Sequence, residues 1–176
     1  MANQVPLSGS TSSTTYHVDR PDGSVEDFTV MISVVGEGYL DVLGVPLLEG
    51  RPFGPADFDK GPTVGIVNKA LADQLWPGES AVGKTLRANA SGPATTVIGV
   101  TSNVRHQGLD EPAQPKLYVT LGQSQREGFQ WLIRAQGDPA GVVELARQAV
   151  VAVSPTTPVR NAEILRARLR GLQPVR

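Results

Sequence analysis

Apolar and polar positions alternate along this chain in short bursts, separated by glycine, proline and small polar residues. The clearest burst is "FTVMISVV", in which Phe28, Val30, Ile32 and Val34 share one side and Thr29, Met31 and Ser33 the other. That period of two predicts a half-buried strand. "EGYLDVLG" sets Tyr39, Leu40 and Leu43 on one helical face and closes at Gly44, which predicts a short helix. Extended "VPLLEGRPF" follows, then "ADFDKG" as a polar turn or single helical turn, then "TVGIV" as a buried strand. In "NKALADQLW", Leu71 and Leu75 stand one turn apart, Asn68 is the predicted N-cap, and Pro77-Gly78 stops the helix.

Three further strands are predicted at "TTVIGVTSNV", "KLYVTL" and "FQWLIRA". Leu117, Val119 and Leu121 share a face of the second, and Phe129, Trp131 and Ile133 a face of the third. Trp76 and Trp131 are expected to anchor the core, as large aromatics at element edges do. The strongest helical pattern comes next: Asp138 caps it, Pro139 takes its first position, and Ser154-Pro155 ends it. Val142, Ala146, Ala149, Val150 and Val153 form its inward stripe, and Glu144, Arg147 and Gln148 face water. "PVRNAEIL" predicts a closing strand. The first two dozen residues, rich in Ser, Thr and Gly, predict a loop, and basic "RARLRGLQPVR" a solvated tail. Helices alternate loosely with strands, which predicts an α+β fold with a mixed sheet covered by helices on one face.

Composition acts mainly by exclusion. A chain of 176 residues suits one domain or two small subdomains. Sixteen basic and 17 acidic side chains leave a net charge of −1, which supplies no electrostatic reason for a nucleic-acid partner. The absence of cysteine excludes disulfides, thiol catalysis and cysteine metal sites. His17 and His106 lie far apart with no ligand-spaced neighbour, so no metal site is expected. "MANQVPLSGSTSS" lacks the charged start and apolar stretch of a signal peptide. No run approaches the ~20 apolar residues that span a bilayer, and the chain is expected to be soluble as it stands.

Three stretches look like chemistry. "GESAVGKT", residues 78–85, fits the phosphate-loop pattern G-x-x-x-x-G-K-[ST], in which Lys84 would reach the outer phosphates and the Thr85 hydroxyl would hold Mg²⁺. The mechanism requires a strand before the loop and a helix after it, whose N-terminus faces the anion. Here a helix precedes Gly78, and "LRANASGPA" meets Gly92-Pro93 too soon for a helix, so turns at Gly78 and Gly83 are expected instead. "GEGYLD" is a broken dinucleotide fingerprint with Asp41 in place of the third glycine. "SNVRHQGLDE" gathers Ser102, Arg105, His106 and Asp110 in one polar loop, without the sharp elbow that activates a serine. No catalytic, cofactor-binding or metal-ligating residue is therefore expected, and no cofactor or enzymatic activity.

Four phrases arrive in a specific order: "GEGYLDVLGVPLLEGRPF", "VGIVNKALADQLWPGESAVGKTL", "TTVIGVTSNVRHQGLDEPAQPKLYVTL" and "LIRAQGDPAGVVELARQAVVAVSPTTPV". Together they resemble the MacB-like periplasmic core domain of FtsX-type ABC transporter permeases, in particular the duplicated acidobacterial-type orphan permeases, over residues 28 to 165. The resemblance implies that Gly78, Gly83 and Lys84 shape a turn. It implies two α/β subdomains: a porter-like βαβ layer from residues 28–50 and 122–165, with a smaller strand-rich subdomain, 51–121, inserted. Residues 1–27 would be a loop or partly disordered, and 166–176 a basic tail. It also implies a membrane helix before the domain and several after it, so the chain is expected to be a soluble piece beginning late in the domain, with Met1 added for expression.

The function so implied is a non-catalytic module on the outer side of a bacterial inner membrane. It would relay the motion driven by a separate cytoplasmic ATPase and contact an adaptor or cargo. Its partners would be the rest of the permease, that ATPase, and a periplasmic adaptor or cargo, with no nucleic acid. Two other readings stay open: a free-standing periplasmic ligand-binding protein, with ligand in a cleft between subdomains, and a nucleotide-dependent enzyme using Lys84.

Overall fold

The computed structural model describes residues 1–3, 12–19, 23–59, 61–89, 92–104, 112–123 and 129–154. Strand β2, Val25–Val35, is the spine of a seven-stranded mixed sheet. On one side it pairs antiparallel with β1, Ser13–Asp19, setting Tyr16 opposite Phe28. On the other it runs parallel to β7, Lys116–Thr120, with Ile32 opposite Leu117. β7 pairs antiparallel with β4, Val64–Asn68, and β4 runs parallel to β6, Ala94–Thr101. The edge of β6 turned away from β4 carries two short strands, β3 (Leu47–Gly50) and β5 (Thr85–Arg87). β5 also reaches β1 through His17 and Arg87. The ladders β1–β2–β7–β4–β6–β5 thus return to β1 and close a ring, which removes most of the sheet's open edges.

Alternation along each strand fills that ring. Tyr16 and Val18, Val30, Ile32 and Val34, Val67, Leu86, Val97, Leu117 and Val119 belong to one buried cluster. Helix α2, Lys69–Leu75, adds Leu71, Leu75 and the following Trp76 to it. Each such leucine contributes about 1.5–3 kcal/mol by leaving water. The opposite face of the central strands carries a second cluster of Ala2, Val35, Ile66 and Tyr118 with Tyr39 and Leu40 of helix α1, Tyr39–Leu43. α1 ends at Gly44, whose left-handed φ of 66° supplies the expected stop.

Most predicted elements are present, including a 3-10 turn at Pro55–Phe58 for "ADFDKG". Four expectations need correction. Residues 13–19, taken as part of an N-terminal loop, form β1, because Thr14, Thr15 and Val18 favour extended backbone and Tyr16 and Val18 enter the ring. β2 is buried on both faces from Val30 onward, so Met31 and Ser33 do not face water. "FQWLIRA" forms no strand: only Gln130 pairs, with the single residue Ala2, and Trp131 is 69 % exposed rather than a core anchor. Trp76 does fill the core. Finally, helix α3, Pro139–Val153, starts at the predicted Asp138 cap, yet none of its residues is buried.

The chain divides into two compact units, residues 1–132 and 133–176. All seven strands lie in the first. β2 pairs with β7, and β3 with β6. "PVRNAEIL" and the basic tail lie outside the described residues.

Candidate functional site

The phosphate-loop spelling at 78–85 folds as two linked turns. Gly78 and Gly83 adopt φ of 78° and 87°, values that side chains disfavour. Four of the loop's amides are engaged within the chain. Glu79 N–H donates to Trp76 O, Val82 N–H to Ser80 Oγ, Gly83 N–H to Val97 O and Lys84 N–H to Ala81 O. The Lys84 ammonium reaches back to Glu79 Oε2 at 2.7 Å, and the Ser80 hydroxyl donates to Glu49 Oε2. Thr85 enters β5 opposite Thr96, and no helix follows. A phosphate cradled by these four amides would have to displace their bonds one by one.

The other two candidates separate. Gly36 donates its N–H to Met1 O, while Asp41 lies within α1 and its carbonyl accepts from Gly44 N–H, so the "GEGYLD" stretch is a strand-to-helix turn. Ser102 binds Pro46 O through its N–H, whereas Arg105, His106 and Asp110 lie outside the described residues. His17 Nδ1 lies 2.5 Å from Asp27 Oδ1 across the β1–β2 ladder, and Arg87 forms an ion pair with Asp19. Among the described residues no cluster of three His, Asp or Glu could hold a metal ion.

A polar hub that sequence reading did not single out lies at the head of β7. The Asn68 carboxamide caps α2 by accepting from Leu71 N–H, accepts from Lys116 N–H, and donates through Nδ2 to Gln114 O. Asn103 Oδ1 takes Ala70 N–H, so two asparagines satisfy the opening turn of α2. The Lys116 side chain is 1 % exposed, with Nζ 5.7 Å from the centre of the Tyr118 ring, which in turn tilts against Tyr39. Burial pulls the amine down to about 7 and pushes both phenols up. Enclosed in this way, the hub acts on the fold. Its one sequence signal was a lysine heading an apolar strand.

What the described surface does offer is apolar area. Trp131 and Ile133 are exposed, as are Leu145 and Val153 of α3. Among the described residues no helix is long and apolar enough to cross a membrane.

A mixed sheet with few helices matches one known group over almost the whole length of the chain. The chain belongs to the family of MacB-like periplasmic core domains, which matches residues 2–167. This is the class of extracytoplasmic domains of ABC transporter permeases. Among individual proteins, it is similar to the uncharacterized ABC transporter permease YknZ of Bacillus subtilis (strain 168), 30 % identical over 89 residues. That match takes in 51 % of this chain and 20 % of YknZ, so the chain spans about a fifth of that relative's length. The fold is similar to the periplasmic region of MacB from Actinobacillus actinomycetemcomitans, with a TM-score of 0.55 at 19 % identity, covering 85 % of this chain and 75 % of the other. It is also similar to a domain from Porphyromonas gingivalis assigned to a permease, with a TM-score of 0.55 at 15 % identity, covering 90 % and 78 %.

Proposed function

We propose that this chain is a non-catalytic relay in a permease. Anchored by membrane helices of its parent protein, it passes on motion driven by a separate cytoplasmic ATPase and offers its outer surface to a periplasmic adaptor or cargo. The observation that carries this reading is the family match over residues 2–167. The 78–84 turns support it, since the amides of Glu79, Val82, Gly83 and Lys84 are engaged within the chain. Relay suits such a build: a ring of short ladders is stiff, and a stiff body passes displacement on rather than absorbing it.

The porter-like layer drawn from residues 28–50 and 122–165 belongs to the same proposal, as does the lack of enzymatic activity. The polar stretch 105–110 is a partner surface in this reading, and exchanging it should alter transport by the intact parent. The test is the native reading frame outward from Met1 and Arg176. Apolar runs of ~20 residues on both sides are expected for an anchored permease domain. A cleavable leader upstream with a stop after Arg176 would instead make this a free-standing periplasmic ligand-binding protein.

A further inference from the structure

Residues 1–3 lie outside the seven strands, yet they are hydrogen-bonded on both sides. Ala2 N–H donates to Gln130 O at 2.9 Å, and Gln130 N–H returns the bond to Ala2 O at 2.7 Å. On the other side, Gly36 N–H donates to Met1 O at 2.7 Å and Asn3 N–H to Val34 O at 3.0 Å. Val34 N–H then donates to the Asn3 side chain at 2.8 Å. Ala2 is completely buried between these neighbours. A Cβ at Gly36 would stand 2.9 Å from Met1 Cγ, so the slot tolerates little bulk.

We propose that residues 1–3 form a latch, which holds the segment 129–132 to the end of β2 and releases it by a local opening that leaves the ring intact. Two observations carry this. The latch is made of backbone bonds and one asparagine side chain, and the methyl of Ala2 is its one fully buried apolar group. Net gains from such bonds are modest and are offset in part by the ordering of the residues that make them, so opening costs little. β4, by contrast, lies between two ladders and carries Ile66 and Val67 into the two cores. The latch also sits where chain leaves the ring: beyond Gln130 come exposed Trp131 and then residue 133, where the second unit begins. In a relay, such a latch lets 129–132 shift while the ring stays rigid. That use rests on the transporter reading; the latch itself does not.

Amide hydrogen exchange of the 176-residue chain, followed by NMR under rising low denaturant, tests the latch directly. The amides of Ala2, Gly36 and Gln130 should exchange together, at least ~100-fold faster than those of Ile66 and Val67, with weak denaturant dependence. In Ala2→Pro, which loses the donor to Gln130, Gln130 should exchange at least ~10-fold faster while Ile66 keeps its rate. Exchange of Gln130 and Gly36 at the rate and slope of Ile66 would overturn the proposal, as would independent opening of the two. So would a proline variant that leaves Gln130 unchanged or strips protection from Ile66. The exchange experiment reads the latch whether or not the parent protein is a transporter.

Discussion

The ring and helix α3 carry apolar stripes of similar quality in the sequence, and they meet opposite fates. In the ring, Ile32 and Val34 lie opposite Leu117 and Val119, and Val67 lies opposite Leu117, across ladders formed by residues tens of positions apart, and all are buried. In α3, Val142, Ala146 and Val150 are half-buried, Ala149 is exposed and Val153 is 88 % exposed. Periodicity says which face an element would bury; it does not say what covers that face. Covering is supplied by long-range pairing, and among the described residues that pairing is concentrated between 13 and 120. The stability of the chain should therefore reside in the ring, with α3 contributing to surface and contact.

Truncation offers the sharpest way to break this contrast. Leu71→Ala removes a fully buried side chain at the end of the ring and should cost about 2–5 kcal/mol in urea unfolding. Leu145→Ala, at a position 65 % exposed, should change stability by no more than about 0.5 kcal/mol. Similar costs at the two leucines would mean that α3 is as deeply packed as the ring. Next in size is the hub. Asn68→Ala loses the cap on Leu71 N–H and strands the buried Lys116 N–H, an expected cost of about 2–4 kcal/mol by the same measurement.

A pH series sharpens the picture at the same hub. The folded pKa of Lys116 is depressed to about 7, below its unfolded value, so the unfolded chain binds the extra proton over the interval between them. Stability should then rise with pH from about 7 toward 10, by at most ~1.4 kcal/mol per unit. The raised phenols of Tyr39 and Tyr118 act oppositely once unfolded tyrosines ionise, so the rise should flatten near pH 10. Lys116→Met should remove most of the slope between pH 7.5 and 9.5 in thermal melts. The smallest effect belongs to the exposed turn. Lys84→Ala should leave the melting temperature unchanged, and calorimetry should detect no Mg-ATP binding in either form. Micromolar binding lost in Lys84→Ala would restore the nucleotide reading.

Local chemistry made much of this legible before the structure. Asn68, Asp138 and Gly44 act where their side chains or backbone freedom predict, because caps depend on neighbours within a few residues. The flanks of residues 78–85 likewise exposed a phosphate-loop spelling as turns, since strand–loop–helix order is a local property. Non-local facts were hidden. Closure of the ring through the His17–Arg87 pairing leaves no trace in either segment's pattern. β1 escaped notice because its inward pair, Tyr16 and Val18, is short and lies among serines and threonines. Trp131 failed as an anchor because nothing in "FQWLIRA" reveals that its neighbour in the sheet is the single residue Ala2. Lys116 was missed for the converse reason: a lysine at a strand head ordinarily faces water, and only the fold buries it.

Location is the claim on which the functional reading stands, and the absence of cysteine makes it directly measurable. A single cysteine replacing exposed Val82, in an otherwise cysteine-free intact parent permease, would be challenged with a membrane-impermeant maleimide in intact spheroplasts. An extracytoplasmic domain should label to completion without lysis. Labelling that appears only after the membrane is broken would place the domain inside the cell and contradict its assignment as the outer module of a transporter.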